Sequence, residues 1–289
     1  MVGGPGDYDY EVTKLEQTET TLSRFITYNA SKGPLPKQLL DAIKQTRHRL
    51  TDISDPGFLP RDKLQEIMNN QVIKDVLINI DHSFRRRIKI WKKNPPRTIE
   101  QEVEMICADN LDDLASSPTP NTDTVKKPYR KILAILVLIE RPGTIRKFID
   151  EEVCDSALPL FESSGTSSSC NSFTLYRKDP DNGSEVEVKC MGKWTTATIK
   201  HFERMQWKLL APFLSKHFNG DPERYDFEDG IILPFERREH KRTGEHADIY
   251  KVRIHEKHHN FNSDGVSIAA LPTTHWLTLT LTFPVPTDT

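Results

Sequence analysis

Five of the chain's ten histidines, His240, His246, His255, His258 and His259, fall within residues 240–259. Neutral imidazole is a common metal ligand, so the H-x-x-H-H spacing of His255 to His259 raises a metal site as the first chemistry to consider. The pattern lacks the H-E-x-x-H frame that sets two imidazoles and a glutamate on one helical face, and along a strand neighbouring residues point to opposite sides. These histidines are therefore read as exposed loop residues, with no metal. Four cysteines, Cys107, Cys154, Cys170 and Cys190, show no C-x-x-C spacing. They indicate neither a zinc site nor a disulfide framework, and they fit a reducing compartment. No G-x-S-x-G elbow and no G-x-x-x-x-G-K-[ST] phosphate loop occurs.

A second stretch, R-T-G-E-H-A-D-I-Y-K-V-R-I from Arg242 to Ile254, has spacing relevant to nucleotides. It resembles the first β-hairpin of a protein-kinase small lobe, where G-x-G-x-x-G-x-V lets the backbone approach the phosphates of ATP. Those places fall on Arg242, Gly244, Ala247 and Ile249, so one glycine of the three is kept. Together with Ile231 to Phe235, Tyr250 to Phe261 and the phrase Tyr129 to Ile149, the chain resembles a group of fungal protein-kinase-like proteins over most of residues 20–261. In that group a long helical region precedes the kinase domain.

The resemblance implies ATP and magnesium as cofactors of the parent family, and a vestigial glycine-rich loop here at Gly244, Ala247 and Ile249. It also implies a lysine on the third strand, then H-R-D-x-x-x-x-N and D-F-G. None of these follows. The chain has 40 Lys and Arg, none of them after Lys257, and the nearest echo of V-A-I-K is Val266-Ser267-Ile268-Ala269, with alanine in the lysine position. From Val266 on, the composition turns to Thr and Pro, as a tail from another reading frame or splice joined near Asp264-Gly265 would. No catalytic residue and no cofactor is expected of this chain. The alternative is a fragment or splice form of an active ATP-dependent Ser/Thr kinase.

The elements that would position these residues are mostly helical. Apolar spacing predicts helices over residues 12–28, after Pro36 (Leu39, Leu40, Ile43, Leu50), over 61–80, over 98–114, and from Pro128 through Ile139. The Pro128 helix is the most apolar and belongs in the middle of the packing. Arg141-Pro142-Gly143 breaks it, and Thr144 can cap a helix whose buried side is Ile145, Phe148, Ile149 and Val153. Asp55-Pro56-Gly57 and Asp179 to Gly183 are turns, the latter joining a small hairpin of 173–177 and 185–189. A long helix begins at Trp194 with Ile199, Phe202, Met205, Leu209, Leu210 and Phe213 on one side, and Pro212 marks its last turns. Glu236 to Lys241 is wholly polar and makes a poor first strand.

The densest positive run, Phe84 to Lys93, could neutralise phosphates, and its K-I-W-x-x-N echoes a homeodomain recognition helix. Pro95-Pro96 stops the helix where a DNA reader needs more of it. The run is read instead as a solvated helix face, with a nuclear nucleic-acid binder kept as a further alternative.

At 289 residues, net charge −2 and 36% apolar content, the chain suits one large or two modest domains. The organisation expected is mainly α: a flexible leader (1–11), a helical region (12–115), a linker (116–127), a helical region with a small hairpin (128–230), a partial kinase-like β-hairpin (231–261) and a disordered Thr/Pro-rich tail (262–289). With no secretory signal and no apolar run of membrane length, cytoplasm or nucleus is the expected location. The partners expected are proteins, bound through helix faces.

Overall fold

The computed structural model describes residues 33–47, 56–85, 97–108, 127–162, 173–179, 182–214, 225, 227–228, 230–243, 247–260 and 277–282. The helix expected over 12–28, the linker, most of the basic run 84–93 and the Ser163 to Ser169 loop lie outside these residues. The chain divides into two compact units, Met1–Leu39 with Ile67–Phe202, and Leu40–Glu66 with Glu203–Thr289. Seven helices and two three-stranded sheets make the described part mainly α.

Helix α1, Leu35–Arg47, follows Gly33, whose φ of 77° suits a residue without a Cβ. It buries Leu35, Leu39, Ala42, Ile43 and Thr46, the spacing of a single helical face. The single apolar run over 61–80 forms two helices, α2 (Arg61–Ile67) and α3 (Asn70–Arg85), rather than one. Asn69 makes the break: its side-chain oxygen accepts the Val72 amide at 3.1 Å, an N-cap that competes with continuing the helix.

In the first unit, α3 packs on α4, Ile99–Ile106. A capping box starts α4, with Thr98 accepting the Gln101 amide and Gln101 accepting the Thr98 amide. Helix α5, Arg130–Leu138, is the core element, with every residue from Ile132 to Ile139 buried. It ends where Glu140 takes φ of 63° and the Arg141 amide returns to the Leu136 carbonyl at 2.7 Å. Pro142–Thr144 forms a single 3-10 turn before α6, Ile145–Asp150, which buries Ile145, Phe148 and Ile149. Thr144 occupies the N-cap position without a side-chain hydrogen bond, so the cap expected there is not made.

The predicted hairpin forms from β2 (Leu175–Lys178) and β3 (Glu185–Glu187), with Gly183 at φ of 69° in its turn. A short strand not foreseen, β1 (Phe161–Glu162), pairs antiparallel with β2. Helix α7, Thr196–Trp207, stops earlier than expected. Pro212 has no amide to give the Lys208 carbonyl, which accepts instead from Leu59 at 2.7 Å. Leu209 is still buried, but Phe213, expected in the core, is 40% exposed.

The second sheet is an antiparallel meander of β4 (Phe235–Thr243), β5 (Ala247–Ile254) and β6 (Leu277–Thr282). Two expectations are overturned here. The polar stretch 236–241 is a strand, because it is an edge whose core demand is met by Phe235 against Val252 and Ile254. Of the tail expected to be disordered, residues 277–282 instead form β6, whose alternating Leu and Thr fit a strand.

Candidate functional site

Residues 235–254 form an antiparallel pair, β4 and β5. Ala247 and Ile249 lie on β5, with Ile249 opposite Arg242 on β4 and opposite Thr280 on β6; Ala247 is opposite Thr282. Gly244 lies in the connection 244–246, outside the described residues. Each position of β6 paired to β5, from Leu277 opposite Val252 to Thr282 opposite Ala247, is Leu or Thr. No lysine stands on the third strand, and the V-A-I-K echo at 266–269 is outside the described residues.

The cations nearby serve the sheet itself. Glu239 pairs with Lys241 at 3.0 Å and Arg237 at 3.2 Å, and the Lys241 hydrogen bond holds its carboxyl below the usual range. Glu236 pairs with Arg253 at 2.8 Å, and the Arg238 guanidinium lies 5.0 Å from the Tyr250 ring centre.

Two of the five histidines depart from their expected exposure. His255 and His258 are buried, at 8% and 1% exposed. The His258 Nδ1–H donates to the Pro212 carbonyl at 3.0 Å while Nε2 accepts the Arg61 amide at 3.2 Å, which fixes the neutral tautomer. Phe58 meets both rings edge-on, at 5.3 Å from His258 and 5.9 Å from His255. Burial pushes the His258 pKa down to about 4, against the pull of the Pro212 carbonyl. With both nitrogens committed to backbone, this imidazole is structural. Among the described residues no group of three His, Cys, Asp or Glu is placed to hold a metal ion.

In the first unit, buried polar groups join helices that sequence reasoning treated separately. The Arg146 guanidinium forks onto Glu102, Nε and Nη2 each donating at 2.8 Å, and Nη1 donates to Asp81 at 2.5 Å. Burial pulls the Arg146 pKa down, but the Glu102 and Asp81 hydrogen bonds outweigh it and leave it raised. Asp155, buried, accepts from the Lys131 and Ile132 amides at 2.9 and 3.0 Å and so caps α5 from 24 and 23 residues downstream. Glu151 does the same for the amides of Lys189 and Cys190, at 2.7 and 2.6 Å. The Cys190 thiol is buried, and that burial, with Glu151 beside it, raises its pKa and leaves it unreactive.

Beside α3 and α4 lies an open cleft of about 460 Å³, lined in part by Gln71, Lys74, Glu100, Glu104 and Cys107. Lys74 is spent on Glu100 at 3.2 Å, and no nucleophile–base pair converges there among the described residues. No described helix is long and apolar enough to cross a membrane. No family model, no curated protein and no solved structure matches this chain.

Proposed function

We propose that this chain is a non-catalytic interaction module of protein-kinase-like ancestry, with partner proteins, cytoplasmic or nuclear, as its ligands. One observation carries the reading: the strand following the hairpin, β6, is Leu-Thr-Leu-Thr-Leu-Thr, so the sheet has no ammonium at the place where a kinase grips the α- and β-phosphates. Of the cations on β4 and β5, Arg237 and Lys241 pair with Glu239, and Arg253 pairs with Glu236. The exposed aromatic Phe213, with the Arg61 guanidinium 5.2 Å from its ring centre, supports contact with other proteins, since aromatic and arginine side chains are enriched at interface centres. Calorimetric titration with Mg-ATP should give no saturable heat. A stoichiometric isotherm would overturn the reading.

A second reading, a splice form or fragment of an active Ser/Thr kinase, is favoured by the antiparallel β4–β5 hairpin lying where the resemblance puts it. It requires a product of the same gene with a lysine-bearing third strand that transfers phosphate from ATP to a protein substrate.

A further inference from the structure

One face of the β4–β5 pair is apolar and the other is charged. Phe235, Val252 and Ile254 form the core side with Tyr250 packed against them, so the alternation along β5 turns Lys251 and Arg253 the opposite way. The register sets Arg237 directly across from Arg253 and Glu239 across from Lys251, and Lys241 reaches the same Glu239 at 3.0 Å. Like charges directly opposed weaken a sheet, and Arg237 and Arg253 are relieved by one carboxylate each, Glu239 at 3.2 Å and Glu236 at 2.8 Å. Four cations thus meet two carboxylates. The two strands together hold six Lys and Arg against three Asp and Glu, in a chain whose net charge is −2. The Lys241 hydrogen bond, and then the charges of Lys241, Arg237 and Lys251, hold the Glu239 carboxyl below its usual range. The side chains of Arg237, Lys241 and Arg253 stay 57%, 50% and 40% exposed, so a further anion can reach them.

We propose that this face docks an acidic peptide segment of a partner protein, whose Asp and Glu side chains meet the positive charge that Glu236 and Glu239 leave over. This rests on the chain being a protein-binding module. Charge complementarity selects an anion. The face itself points to carboxylates, because it already holds two on guanidinium and ammonium groups that pair well with them. A single-stranded nucleic acid would want aromatic platforms beside the cations, and the aromatics of the two strands, Phe235 and Tyr250, belong to the core side. With its cations exposed, each contact is weak, and the complex is sensitive to salt.

Fluorescence anisotropy of the full chain with a fluorescein-labelled oligoglutamate peptide tests this. Binding should saturate at low ionic strength and fade as salt is added. Arg237→Gln should weaken it about fivefold, whereas Arg238→Gln, which removes a cation from the Tyr250 side, should change it less than about twofold. Glu239→Gln, which removes a competing carboxylate, should tighten it about threefold, and Glu187→Gln on β3 should not. No saturable binding, equal losses from the two arginine variants, or indifference to Glu239→Gln overturns the proposal. So does single-stranded DNA or a phosphatidylcholine–phosphatidylserine vesicle bound as tightly as the peptide. Glu239→Gln acts by a gain, so it still decides the matter where circular dichroism shows Arg237→Gln misfolded. A chain that binds neither the peptide nor Mg-ATP overturns this docking site alone; one that binds Mg-ATP stoichiometrically overturns the module reading and the site with it.

Discussion

His258 shows how one side chain can couple stability to pH. The fold keeps it neutral between the Pro212 carbonyl and the Arg61 amide, with the charges of His255 and Arg61 opposing a proton and Asp62 favouring one. An unfolded imidazole titrates near 6.5, the folded one at about 4. Its contribution is therefore complete above pH 6.5 and is lost as pH falls toward 4, because over that interval the unfolded chain takes up the proton first. The interval corresponds to about 3 kcal/mol. Urea midpoints of the wild-type chain should drop across this range more steeply than those of His258→Asn. Equal slopes would mean the imidazole titrates normally. Gly230 is a second position where one atom decides: a Cβ there would lie 2.3 Å from the Trp207 ring, so Gly230→Ala should cost about 1–3 kcal/mol in denaturant unfolding.

Among the elements, α3, α4 and α6 are held together by one guanidinium. Arg146→Leu leaves Glu102 buried without its cation, and should destabilise the chain by about 3–5 kcal/mol in chemical denaturation. Replacing Glu102 by Leu as well should restore part of the loss, and a double-mutant cycle measures how much. The apolar elements were legible in the sequence: Ile132 to Ile139 read as a buried helix, and Ile145, Phe148 and Ile149 as the core side of the next. The ends of the elements were not. Periodicity continues through Asn69 into Val72 and Ile73, and past Trp207 into Leu209, so it cannot show a stop. Those stops depend on an asparagine cap and on a Lys208 carbonyl taken by distant Leu59. His258 was misplaced for the same reason: it looks polar in isolation, yet it is buried, and Arg61, 197 residues away, supplies its second hydrogen bond.

The whole molecule is nearly neutral, at net charge −2 with 40 basic and 42 acidic residues, which gives no overall attraction to polyanions. Fluorescence anisotropy with duplex DNA at low ionic strength should show no saturable binding. A curve that collapses steeply with added salt would instead return a phosphate-binding role to Phe84–Lys93. The ion cluster also has a consequence for synthesis. Asp81 and Glu102 leave the ribosome 65 and 44 residues ahead of Arg146, and the α5 amides leave 24 and 23 residues ahead of Asp155. A nascent chain halted before Arg146 thus holds two carboxylates still waiting for their shared cation and a helix whose first turn is uncapped, so the first unit closes only after the translating ribosome has passed both residues.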